Sequence, residues 1–208
     1  MACEYVRLPD LVGAPPGDVV AEVRGLDHLI AARDAGRGAI LLTGHFGHFE
    51  LLAAYLGRTH PVDFVVKPLS NPGVEAWIDE RRRRAGVGRI PVGAGVRRVF
   101  EALRDNRWVA MLADQDARGH GVFVPFLGRP SSTPVGPAEI ALRTGAPLIM
   151  GFGTRRPDGR HELDVLPPLA APEAGRDGAA LALTARHTAC LEGWIRRHPA
   201  SWLWLHRR

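Results

Sequence analysis

Ala39-Ile40-Leu41-Leu42-Thr43-Gly44-His45-Phe46-Gly47-His48-Phe49-Glu50 is the stretch that decides the fold. Its first four residues form an apolar run bracketed by Gly38 and Gly44, the pattern of a short strand buried on both faces. Leu51 to Leu56 then reads as a helix stopped by Gly57, and Val62 to Val66 as a second strand. Further out, Val74, Trp77, Ile78 and Arg81 share one helical stripe, and Val96, Val99, Phe100 and Leu103 share another. Arg89 to Val92 separates those helices as a third strand, and Trp108 to Ala113 is a fourth. Between Asp114 and Pro134 the chain is rich in Gly, Pro and Ser, which predicts a long loop with one extended piece, Val122-Phe123-Val124. A helix over 135–145, strands near 147–153 and 161–166, and a helix over 178–197 complete the pattern. Strands alternating with helices predict an α/β domain over 39–208, with a largely parallel central sheet flanked by helices. Residues 1–38, broken by Pro15-Pro16-Gly17, read as an N-terminal cap or connector with a short helix near 19–35.

In parallel sheets ligands sit beyond the carboxyl ends of the strands, so chemistry belongs at Gly44-His45 and at Asp114. His45 follows its strand directly, with Gly44 and Gly47 leaving room for backbone or ligand. Glu50 falls in the first turn of the next helix, where the dipole favours a carboxylate. A histidine held by a carboxylate is a general base able to take a proton from an alcohol. Asp114 can play the same holding part, the third-group role of a triad, and the spacing leaves open which of Glu50 and Asp114 orients His45. The plainer alternatives are a structural histidine, a dipole-favoured surface Glu50 and a solvated turn at Asp114. The spacing of His45, His48 and Glu50 does not match the usual zinc patterns, so no metal is expected. His48 reads as a surface or supporting residue.

The 208 residues are 46% hydrophobic and 24% charged, an ordinary globular balance that excludes disorder, collagen and coiled coil. No run reaches the ~18 apolar residues that cross a bilayer, and the N-terminus lacks a secretory pattern. Net charge is +5, with a pI near 10.2, which favours an acidic partner. Arg81 to Arg107 contains nine arginines and only Glu101 and Asp105 among the acids. Such a stretch suits an acidic carrier protein or lipid phosphates. Nucleic acid is not expected, because no helix-turn-helix, zinc knuckle or aromatic RNA-binding motif is present. Cys3 and Cys190 have no nearby base, which argues against thiol catalysis. Trp202 to Leu205, followed by two arginines, fits a membrane interface and a packed apolar strip equally well.

Gly44 to Glu50 resembles the H-x4-D/E motif of glycerolipid acyltransferases, and more narrowly the bacterial lipid A biosynthesis acyltransferases with the related phosphatidylinositol mannoside enzymes. The likeness continues through Asn71-Pro72, Arg81 to Arg84, Met111 to Asp116, Val122 to Gly128, Ala141 to Pro147 and Trp202 to Arg208. A phosphate-gripping F-P-E-G-T-R-S block is missing, which sets the chain apart from the phosphatidic acid branch. His48 and Phe49 stand where the family usually has asparagine and tryptophan, and Lys67 where it has arginine, so bidentate phosphate geometry is lost there.

The resemblance implies an O-acyltransferase that moves a fatty acyl chain from acyl carrier protein or acyl-CoA to a hydroxyl of a lipid A precursor or related glycolipid. It needs no cofactor. It makes His45, Glu50, Asp114 and Arg82 catalytic candidates and Lys67, Arg81, Arg84 and Asp116 substrate-binding candidates. It also implies a place at the cytoplasmic face of the inner membrane. Such enzymes carry an N-terminal hydrophobic anchor, so attachment here is expected to be peripheral, the anchor being absent or removed. Acylation of another membrane lipid, or a non-catalytic basic module that binds lipid or carrier, are the competing readings.

Overall fold

The structure is a computed structural model and describes residues 13–93, 96–173 and 175–205. In chain order, β1 (Val20–Arg24), α1 (Leu26–Asp34), β2 (Ala39–Thr43), α2 (Phe49–Gly57), β3 (Val62–Val66), α3 (Pro72–Arg84) and β4 (Val87–Pro91) build the first half. The second half comprises α4 (Val96–Arg104), β5 (Trp108–Leu112), β6 (Val122–Phe126), β7 (Arg129–Thr133), α5 (Gly136–Thr144), β8 (Leu148–Arg155), β9 (His161–Val165) and α6 (Ala179–Arg197). Seven strands form one sheet in the order β1-β9-β8-β2-β5-β3-β4. The five from β8 to β4 run parallel, as the alternation of strands and helices predicts, while β9 reverses against β8 and carries β1 with it.

Strand β2 lies at the middle, and all five of its residues are buried. Successive strand residues point to opposite faces, so an unbroken apolar run serves two cores at once. Leu41, Ala110 and Ile149 meet Leu29 of α1 and Leu52 and Leu56 of α2 on one face. Ile40, Leu42, Val109 and Met111 meet Val99 of α4, Ala138 of α5 and Leu183 and Leu191 of α6 on the other.

Two elements differ from the sequence reading. Residues 20–24 are not the first turn of a helix but edge strand β1, which pairs with β9 and is tied to it by Arg24, donating to Asp164 at 2.6 Å. Gly25, at φ 71, then turns the chain into α1; a Cβ there would sit 2.0 Å from the Val165 carbonyl oxygen. The second is β7, Arg-Pro-Ser-Ser-Thr, which closes a hairpin with β6 inside the stretch read as loop. Its polar residues carry no strand signature. Its turn, Leu127-Gly128 with φ 49 and 82, has the paired positive angles of a tight hairpin.

The passage from β2 into α2 is packed against β8 at Gly47. This residue has φ 54, and a Cβ would lie 1.7 Å from the Gly153 carbonyl oxygen. Gly47→Ala is therefore expected to lower the stability of the chain by roughly 3 kcal/mol or more, since neither backbone can yield without breaking the sheet. Urea unfolding checks this, and a midpoint within error of the parent would refute it.

Candidate active site

Parallel pairing sets Thr43 of β2 opposite Leu112 of β5, and the Ala113 N–H still donates to the Thr43 carbonyl at 3.3 Å. Two residues beyond each partner stand His45 and Asp114, so strand register alone brings them together. Asp114 is fully buried. Its Oδ1 lies 2.8 Å from His45 Nδ1, while its Oδ2 accepts the His45 backbone N–H at 2.6 Å and the Trp202 indole N–H at 2.9 Å. Burial pushes the carboxyl upward, but the hydrogen bonds from His45 and Trp202, with attraction to the imidazole, prevail and hold it below the usual carboxylate range. An ionised carboxylate only accepts, so Nδ1 carries the proton and the imidazole lone pair falls on Nε2. Gly44 makes the close approach feasible, because a Cβ there would meet Asp114 Oδ2 at 2.9 Å and Leu191 Cδ1 at 3.1 Å.

The C-terminal segment clamps this loop from the other side. Gly47 N–H donates to the Ser201 carbonyl at 2.7 Å, and Leu203 N–H to the His45 carbonyl at 2.9 Å. Trp202 lies between them, buried and bridged to Phe46. Of the two uses the sequence left open for Trp202 to Leu205, Trp202 takes the packed one, and its indole supplies a donor that no local pattern announces. Only the pairing of 201–203 with 45–47 reveals it.

Glu50 is gripped by Arg82, whose Nε and Nη2 donate to its two carboxylate oxygens at 3.1 and 2.5 Å. Glu50 sits in the first turn of α2 and is buried, whereas Arg82 comes from α3, a helix without a buried residue. That helix is begun by Asn71, whose side chain accepts from the Gly73 and Val74 N–H groups, and by Pro72 at its first position. It is anchored sideways by ion pairs, Arg82 to Glu50 and Arg89 to Glu75 and Asp79. Arg82 also lies 5.3 Å from the Phe64 ring centre.

His45, Arg82, Lys67 and Asp116 all line one cleft of about 640 Å³, with Val99, Met111 and Ile140 on its apolar wall. Lys67 follows β3 at its carboxyl end, and Asp116 accepts the Arg118 N–H at 2.8 Å. Arg81 and Arg84 are not on that wall. Glu75, Ile78, Asp79 and Arg82 recur at helical spacing and make the cleft face of α3, so Arg81 and Arg84 point along the next stripe. Arg81 stacks 3.3 Å from the Trp77 ring centre, and Arg84 donates to Glu80 at 2.8 Å. His48 is not on the surface: it is buried, and its ring accepts the Leu51 N–H at 3.4 Å as the cap of α2. Burial pushes the Cys190 thiol up to about 11, which leaves it a poor nucleophile. Cys3 lies outside the described residues.

Residues 18–208 match the family described as bacterial lipid A biosynthesis acyltransferase. Curated relatives include a phosphatidylinositol mannoside acyltransferase of Mycobacterium tuberculosis, 38% identical over 133 residues, or 61% of this chain and 42% of that protein. The counterpart in Mycolicibacterium smegmatis is 34% identical over 150 residues, 70% of this chain and 49% of its own. A lipid A biosynthesis lauroyltransferase of Escherichia coli is 29% identical over 190 residues, 90% of this chain and 61% of its own. The chain thus spans about half the length of the curated relatives it matches.

Trp202→Phe keeps the ring and deletes the donor, so the Asp114 carboxyl should rise. A carboxylate held below its unfolded value stabilises the fold above that unfolded value, and the contribution is lost as pH falls through the folded one. Acid unfolding of Trp202→Phe, followed by circular dichroism, is therefore expected at higher pH than in the parent. An unshifted acid midpoint would show that the indole does not hold the carboxylate.

Proposed function

The chain belongs to the bacterial lipid A biosynthesis acyltransferase family, and on that premise we propose that its cleft transfers a fatty acyl group from a thioester donor to a hydroxyl of a membrane glycolipid. The observation that carries the proposal is the His45–Asp114 pair, which opens onto a cleft lined by charged side chains, Lys67, Arg82 and Arg89 beside Glu75, Asp79 and Asp116, and by apolar ones such as Val99, Met111 and Ile140. An amphiphilic substrate needs both kinds of lining.

In this reading His45 Nε2 takes the proton from the acceptor hydroxyl as the oxygen attacks the thioester carbonyl. Asp114 orients the ring and stabilises the imidazolium that forms. The tetrahedral intermediate then collapses, the C–S bond breaks, and the departing thiolate takes the proton from the imidazolium. Glu50 serves by holding Arg82, whose guanidinium faces the cleft and is placed to meet the developing oxyanion or a substrate phosphate. Lys67, at the cleft wall, is a second point of contact for phosphate, and Asp116 supports the loop that follows Asp114. Arg81 and Arg84, off the cleft wall, are left without a substrate role.

The donor is acyl carrier protein or acyl-CoA, and the acceptor a lipid A precursor or a related glycolipid such as a phosphatidylinositol mannoside. The work takes place at the cytoplasmic face of the inner membrane. Among the described residues no helix is long and apolar enough to cross a membrane.

His45→Ala is expected to cut thiol release from the acyl donor, assayed with acceptor membranes, by at least about a hundredfold. Because it also removes one donor from the buried Asp114 carboxylate, the melting temperature should fall while circular dichroism at the assay temperature still shows a folded chain. Saturable donor binding with no release from the parent chain would favour a non-catalytic module instead. Arg82→Ala strands a buried carboxylate and should cost about 3–5 kcal/mol of stability. The double variant Glu50→Gln, Arg82→Ala should recover part of that loss in urea unfolding, and no recovery would sever the two residues energetically.

A further inference from the structure

Five large apolar side chains, Leu69, Val74, Trp77, Val92 and Val96, are solvent-exposed around α3 and the start of α4, more than half of all such side chains among the described residues. Leu69, Val92 and Val96 stand on the wall of the cleft. Val74 and Trp77 recur at helical spacing with Arg81 and Arg84, one stripe away from the cleft face of α3. Trp77 is 37% exposed, and the Arg81 guanidinium lies 3.3 Å from its ring centre. Beyond it the rim is cationic: Arg83 and Arg84 are largely exposed, and Arg97 and Arg98 follow Val96. Glu80 and Glu101 answer only part of this charge, through pairs with Arg83, Arg84 and Arg97.

We infer that this rim, with the Trp77–Arg81 stripe at its centre, is a docking face for a bilayer containing anionic lipid, which sets the mouth of the cleft against the membrane. Apolar side chains of this size left in water are costly, whereas at a headgroup boundary they bury while the neighbouring arginines meet phosphate. A soluble acidic partner would match the cations but leave the apolar collar unexplained. The placement also gives Arg81 and Arg84 an occupation that the cleft does not. The inference rests on the acyl-transfer reading only for what enters the cleft; the docking itself needs no substrate.

Flotation of the chain with phosphatidylcholine vesicles, with and without phosphatidylglycerol, tests it. The parent should float with the anionic vesicles and release from them as salt rises. Val74→Ser with Trp77→Ser should lower partitioning by about tenfold or more, and Arg81→Gln with Arg84→Gln should erase the preference for phosphatidylglycerol. In the parent, brominated lipid should quench fluorescence that is missing from Trp77→Phe, a reading independent of any loss of stability in the serine variants. Failure of the parent to float, unchanged partitioning of the serine variant, or no quenching assignable to Trp77 would each overturn the docking face. Flotation uses neither donor nor acceptor, so docking without thiol release would count against the acyl-transfer reading alone.

Discussion

An ionised carboxylate sealed from water at the end of a β-strand costs several kcal/mol unless donors surround it. Asp114 meets this constraint with three hydrogen bonds, from the His45 ring, the His45 backbone and the Trp202 indole. These donors come from opposite ends of the domain, so satisfying one buried charge ties the β2–α2 loop, the end of β5 and the C-terminal segment into one unit. Much of the surrounding sequence follows from that requirement. Gly44 leaves the space that Asp114 occupies, and Gly47 lets the loop lie on the backbone of β8. Thr43 and Leu112 fix the register that puts the partners opposite each other.

The two acids near His45 each hold a basic group in place. Asp114 spends its oxygens on His45 and Trp202, which fixes a tautomer. Glu50 gives both of its oxygens to Arg82, which fixes the position of a cation. The second pair matters for architecture as well as charge. Helix α3 has no fully buried residue, and ion pairs from Arg82 and from the acids that meet Arg89 help to anchor it to the body of the domain. One wall of the cleft is thus held in part electrostatically, while the opposite wall is packed hydrocarbon. A groove with such unlike walls suits the amphiphilic substrate proposed above.

Much of this was legible in the residues. The run Ala39 to Leu42 announced a two-faced buried strand because both cores demand apolar residues in succession, and the glycines around it marked a loop under close approach. The carboxyl ends of β2 and β5 were the expected places for chemistry because parallel sheets concentrate crevices there. Edge strand β1 and the polar strand β7 were not legible. An edge has one buried side and needs no long apolar run, and Ser131 and Thr133 owe their place to hairpin pairing with β6 rather than to propensity. Arg81 and Arg84 were indistinguishable from Arg82 along the chain, and only the rotation of α3 against the sheet separates a guanidinium that reaches the cleft from two that do not.

The sequence alone therefore determined the alternation of elements, the strand-end histidine and the acids available to serve it, because periodicity and residue chemistry are local properties. Which acid met the imidazole was decided by tertiary structure. Asp114 lies 69 residues from His45 and Trp202 a further 88, and no local spacing encodes a register between strands or the return of a chain end onto a loop. Folding chose Asp114 because a buried carboxylate is stable only where several donors converge, and that convergence exists only once the sheet has closed.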